Sequence, residues 1–144
     1  MQTFLPYADF AASARVLDNK RLGKQRVEAI QIMRVLLGIS TSSGWRSHPA
    51  VTMWQGREAA LWEYTRAVCD EWMDRGFANT KCEEHLNTLA AVLGRDDDWS
   101  YAYPEWFGNE RFHESHRANL VRKLPEHYGQ FWPDVDPALP YVWP

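Results

Sequence analysis

Residues 17–38 read LDNKRLGKQRVEAIQIMRVLLG. Stepping 100° per residue places Leu22, Ala29, Ile30, Met33 and Leu37 on one face. That pattern predicts an amphipathic helix from about Asn19 to Leu37, stopped by Gly38 and the polar run STSSG. The opening turns carry four cations, Lys20, Arg21, Lys24 and Arg26, among few apolar anchors. Lys20, Lys24, Glu28 and Gln31 share a second face, with Arg21 beside them. One reading of these charges is a solvated face with an i,i+4 Lys24–Glu28 pair; the other is a face turned toward a site. Arg26 is different: it falls inside the apolar arc, where a guanidinium needs a partner or a cavity.

The same reading extends outward along the chain. MQTFLPY is a short extended lead-in, and ADFAASARVLDNK is weakly helical. A second long helix is expected from about Pro49 to Arg75, with Pro49 in its first turn, Trp54, Leu61, Val68 and Trp72 on its buried stripe, and Gly76 as its stop. A third is expected from about Glu83 to Leu93 and a last one from about Glu110 to Lys123, before Pro125. RDDDW and YAYPEWFGN form a long connection between these two, and HYGQFWPDVDPALPYVWP an irregular tail rich in proline and aromatics. Strand signals are nearly absent. The expected fold class is all-α, a compact helical bundle forming one domain over residues 1–144.

The totals bound the function. Eight Trp, six Tyr and six Phe in 144 residues can fill a core or provide stacking platforms for bases. A net charge of −3 argues against a protein that coats nucleic acid over its whole surface, while leaving room for a local basic site. Two cysteines, Cys69 and Cys82, without CxxC spacing, read as reduced thiols. No apolar run approaches the length of a membrane span and no signal-peptide pattern opens the chain, so a soluble cytoplasmic protein is expected.

Polar groups recur within the last helix's apolar stripe, where His113 and Arg117 sit one turn apart beside Leu120 and Leu124. One reading is a structural ion pair with Glu28 or Asp18; the other is a pocket between helices in which Arg26 and Arg117 hold an anion through forked donors. His113 and His116 in HESH lack the spacing of a metal site, and the Asp run 96–98 reads as solvated loop, so no metal or other cofactor is expected. There is no GxxxxGK[ST], GxGxxG or GxSxG.

Three marks then carry a resemblance: the D-x-K-R-x-x-K-x-x-x-E run within ARVLDNKRLGKQRVEA, the His-Pro-x-x-x-Trp of HPAVTMW followed by a Tyr-containing helix, and the K-x-P-x-x-Tyr of SHRANLVRKLPEHYGQFW. Together they span most of the chain, which resembles the pyrimidine-dimer DNA glycosylase family of the endonuclease V type, in a short bacterial and phage branch. The resemblance implies a DNA-repair enzyme that cuts the glycosidic bond at a damaged pyrimidine and then nicks the strand, a hydrolase and lyase without a cofactor. It also implies an N-terminal α-amine that attacks the sugar C1′ to give a Schiff base, with a glutamate and arginines of the first helix stabilising charge and binding phosphates. Carried over, Glu28 is the carboxylate and Met1 the nucleophile, with Lys20 or Lys24 as substitutes. Arg21, Arg26, His48, His113, Arg117 and Lys123 then bind phosphate, and Trp54, Tyr64 and Tyr128 line a base pocket. Three departures stand beside this. Gln2 is a bulky residue that normally blocks removal of Met1. The arginine–glutamate pair has no unambiguous counterpart. The chain is acidic where the phage enzyme is basic.

Three readings follow: a DNA glycosylase with β-lyase activity; a non-catalytic module binding nucleic acid or a nucleotide; and a structural helical protein with a buried ion-pair network.

Overall fold

The N-terminal six residues form no helix, yet Gln2, Thr3, Phe4 and Leu5 are all buried. In the computed structural model, which describes residues 1–40, 44–94 and 100–144, the chain runs through seven helices: α1 Phe10–Arg15, α2 Asn19–Leu36, α3 Pro49–Thr52, α4 Glu58–Asp74, α5 Thr80–Leu93, α6 Glu110–Lys123 and α7 Pro125–Tyr128. No strand occurs among the described residues, and the fold is all-α. The Asp run 96–98 lies outside them.

Helix α2 starts where the sequence says it should, because the Asp18 carboxylate accepts the Arg21 backbone N–H as an N-cap. It packs lengthwise on α4, with α1 also against α4 and α5 against both. Its apolar stripe joins Trp54, Leu61, Tyr64, Val68 and Leu86 in one core. Gly23, in the interior of α2, lets the helix come close to α4: a Cβ there would lie 3.0 Å from the Trp72 ring.

Two boundaries differ from expectation. The single helix expected over 49–75 is two, α3 and α4, because the chain turns through Gly56 at φ +78°, a conformation that breaks the helix and suits glycine. Helix α5 begins at Thr80 rather than about Glu83, and the extra turn brings Cys82 onto the core.

The long connection before α6 covers the core with aromatic rings. Tyr103 stacks on Phe107 at 4.4 Å, Trp106 meets Trp54 edge-on at 5.0 Å, and the Trp106 indole N–H donates to the Met53 carbonyl at 3.0 Å. Beyond α7 the tail is irregular, as expected, and returns along α6: Val142 N–H donates to Ser115 Oγ at 3.1 Å, and Arg122 donates to the Leu139 carbonyl at 2.9 Å. These bonds bring Tyr141 beside the N-terminal segment and the opening turns of α2.

Candidate active site

The cations of α2 do face something. A cleft of about 370 Å³ is lined by Met1, Gln2 and Phe4 of the N-terminal segment, by Lys20, Arg21, Lys24, Gln25 and Glu28 of α2, by Lys123 at the end of α6, and by Tyr141 of the tail. Residues 120 or more apart in sequence meet here because the first residues lie in the bundle and the last fold back over α6.

Glu28 is the carboxylate of the cleft, with 15% of its side chain exposed. Lys24 Nζ stands 3.6 Å from Glu28 Oε1 and is itself 72% exposed. On its other side, Glu28 Oε2 accepts from the Gln2 backbone N–H at 3.4 Å and from Gln25 Nε2 at 3.3 Å. A carboxylate so held keeps its charge aimed at the space beside Met1 and Gln2, where it can stabilise a developing cation.

Arg21 lines the cleft with its position fixed from behind. Its Nη1 donates to Asp18 Oδ1 at 3.2 Å, and Asp18 also accepts from the Tyr128 hydroxyl while donating its backbone N–H to the Tyr128 oxygen at 3.0 Å. Burial pushes the Asp18 carboxyl up, but the Tyr128 hydrogen bond and the Arg21 guanidinium prevail and hold it below the ordinary range. Across the cleft, burial pushes the Tyr141 hydroxyl up to about 12, against the opposing pull of Arg122, Gln2 and Arg21, so it is a neutral donor at physiological pH.

Met1, Lys20, Arg21, Lys24, Glu28 and Lys123 therefore line one cleft, whereas the remaining candidates lie elsewhere. Arg26 points away from the cleft: its guanidinium lies 4.2 Å from the Trp72 ring centroid and donates to Asn79 Oδ1 at 2.8 Å. Arg117 donates to the Pro6 carbonyl at 2.7 Å and pairs with Glu110, rather than with Glu28 or Asp18. These two arginines sit in separate structural contacts and form no shared anion pocket. His48 caps α3, its Nδ1 accepting the Ala50 N–H at 3.0 Å. The His-Pro-x-x-x-Trp motif thus starts a helix and seats Trp54, whose indole donates to Thr3 Oγ1 at 3.0 Å.

Trp54, Tyr64 and Tyr128 are fully buried and offer no face to a base. Tyr128 acts through Asp18, and the Tyr64 hydroxyl meets Gln25 Oε1 at 2.6 Å. His113, also buried, cannot reach a phosphate. Its Nδ1–H donates to the Leu5 carbonyl at 2.8 Å and its Nε2 accepts the Gly108 N–H at 2.9 Å. No group of three or more His, Cys, Asp or Glu side chains able to hold a metal ion occurs among the described residues.

Sequence reasoning missed Gln2, Phe4, Gln25 and Tyr141. Only Gln25 left a signal, as a second polar residue within the apolar stripe of α2, one turn from Leu22 and Ala29 and nearly fully buried. Tyr141 left none, since it reaches the cleft only through the fold of the tail.

The fold is a helical bundle whose cleft gathers Lys20, Arg21, Lys24 and Lys123 around one sheltered carboxylate. The family model of the pyrimidine dimer DNA glycosylases matches residues 1–84, and the chain belongs to that family. It is thus a protein of DNA-glycosylase type, with DNA as the class of substrate. The match takes in the N-terminal segment and α2; Lys123 and Tyr141 lie outside it. No curated protein and no solved structure matches the chain. No helix among the described residues is long and apolar enough to cross a membrane.

Proposed function

We propose that this cleft is the active site of a DNA glycosylase with AP lyase activity that works through an amine at the N-terminus of the chain. The observation that carries the reading is the approach of the first two residues to Glu28, with the Gln2 nitrogen 3.4 Å from Oε2. Lys20, Arg21, Lys24 and Lys123 around them supply the charge to hold phosphates on either side of a flipped nucleotide.

The unprotonated α-amine attacks the sugar C1′ with its lone pair. The C1′–N1 bond breaks and its electron pair leaves with the base, which takes up a proton. An amine proton passes to O4′ as the C1′–O4′ bond breaks and the ring opens, the nitrogen lone pair closes a protonated imine, and the Glu28 carboxylate stabilises its positive charge. Abstraction of a C2′ proton from this imine then expels the 3′ phosphate, which is the lyase step. An α-amine suits the task because its intrinsic pKa of about 8 leaves a useful fraction unprotonated near neutrality. Lys24 is less suited, as a solvated side chain already paired with Glu28.

The test is borohydride trapping on oligonucleotides carrying an abasic site or a pyrimidine dimer, with the adduct mapped by mass. An adduct at residue 1 is the expected result; one at Lys20 or Lys24 moves the nucleophile to a side chain. Retained DNA binding with no adduct on either substrate would leave a non-catalytic binding module, a reading that bulky Gln2 favours.

A further inference from the structure

We infer that Gln25 is a positioning residue, whose single amide sets the N-terminal segment and the Glu28 carboxylate against each other. The inference rests on the reading above, that the amine at the start of the chain is the reacting group.

Residues 2–6 lack a helix or sheet ladder, and a buried backbone without partners is costly. Side chains from three helices supply the partners instead. Glu28 takes the Gln2 N–H, Gln25 takes the Phe4 N–H at 3.0 Å and donates to the Gln2 carbonyl at 2.7 Å, and the Tyr64 hydroxyl lies 3.0 Å from the Phe4 carbonyl. His116 Nδ1 takes the Leu5 N–H at 3.0 Å, His113 donates to the Leu5 carbonyl, and Arg117 donates to that of Pro6. This explains why α6 carries His113 and Arg117 among its leucines. Both hold the N-terminal segment.

Gln25 differs from the other holders because it touches both halves of the site. Its Oε1 accepts from the Phe4 N–H and the Tyr64 hydroxyl, which fixes the sense of the amide. The Nε2 group must then face the opposite way, where it donates to the Gln2 carbonyl and lies 3.3 Å from Glu28 Oε2. Rotating this amide would move the backbone beside the amine and the carboxylate that answers it. A misplacement on the order of 1 Å at such a point can cost about a hundredfold in rate. An apolar side chain of similar volume would leave the Phe4 N–H and the Gln2 carbonyl without these partners, so a structural role is separated from a positioning one only by a readout at the amine itself.

The test compares Gln25→Met, which removes all these bonds at similar volume, with Gln25→Glu, which keeps the acceptor for Phe4 and Tyr64 and loses the donor. Leu86→Ala, in the core of α5, serves as a destabilised control. Two quantities are read: the single-turnover rate of borohydride-trapped adduct on a saturating abasic oligonucleotide, and the resonance of the α-amine after ¹³C reductive methylation, measured without DNA. Both Gln25 variants are expected to trap at least tenfold more slowly and to shift that resonance, with Leu86→Ala within twofold of wild type and unshifted. Wild-type trapping rates in the Gln25 variants, or an unmoved resonance, would overturn the inference. If the wild-type protein forms no adduct while the resonance moves only in the Gln25 variants, the positioning stands and the amine chemistry fails.

Discussion

The backbone nitrogen of Gln2 and the carboxylate of Glu28 lie 3.4 Å apart although 26 residues separate them. Glu28 stands on the third turn of α2, and Gln2 is brought to it by buried side chains of α2, α4 and α6. The contact joins the sheltered carboxylate of the cleft to the start of the chain, and the mechanism proposed above rests on it.

Glu28→Gln keeps the shape and removes the charge. Single-turnover cleavage of a dimer-containing oligonucleotide should fall by about 10²–10³, while binding by fluorescence anisotropy stays within about threefold of wild type. Loss of thermal stability with unchanged turnover would instead mark Glu28 as a structural partner of Lys24 and Gln25.

Lys20 of α2 and Lys123 of α6 both line the cleft. If each neutralises a phosphate, replacing either with alanine should lower the slope of log K against log salt by about 0.9. A salt titration of the two single variants and the double variant checks this. An unchanged slope in all three would place the DNA elsewhere.

His116 is buried beside His113, and desolvation, helped by that neighbour, pushes its pKa down to about 3; burial likewise lowers that of His113. The groups facing this pair are Glu110 and Arg117 on α6, Tyr141 of the tail, and the Leu5 and Gly108 peptides. Because the unfolded chain takes up protons near the ordinary histidine value and the folded chain does not, stability is fully present above about pH 6.5. It falls as the pH drops from there toward 3. Urea unfolding from pH 8 to 4 should show this decline, and His116→Gln, which keeps an acceptor for the Leu5 N–H, should remove about 1.4 kcal/mol per pH unit of it.

Arg26 tests whether cations outside the cleft matter to DNA. Arg26→Ala removes its contact with Trp72 and its bond to Asn79, and should cost about 1–3 kcal/mol in unfolding free energy. DNA affinity and trapping rate should stay at wild-type values. A tenfold loss of affinity in a folded variant would return Arg26 to the binding surface.

Periodicity and caps made most of the fold legible. The stripe Leu22, Ala29, Ile30, Met33 and the Gly38 stop define α2 within a residue at each end, because a helix's face and end are local properties. The break at Gly56 was hidden, since an isolated glycine in a helical pattern is tolerated as often as it turns the chain. Within the site, Lys20, Arg21, Lys24 and Glu28 were legible as one helix face. The partners of Arg26, His113 and Arg117 were not, because a polar residue in an apolar stripe announces that it needs a partner without saying which one.

The sequence by itself determined the all-helical class, the extent of α2 with its cationic turns and, through its motifs, the family. The tertiary structure alone decided that Gln2, Phe4 and Tyr141 belong to the cleft, that Tyr64 and Tyr128 belong to the core, and that Gln25 joins the two ends of the site. The physical reason is the range of the interactions. Helix propensity and capping act over a few residues, whereas the bonds holding the first residues span from 21 to 111 positions and exist only once α2, α4 and α6 have packed.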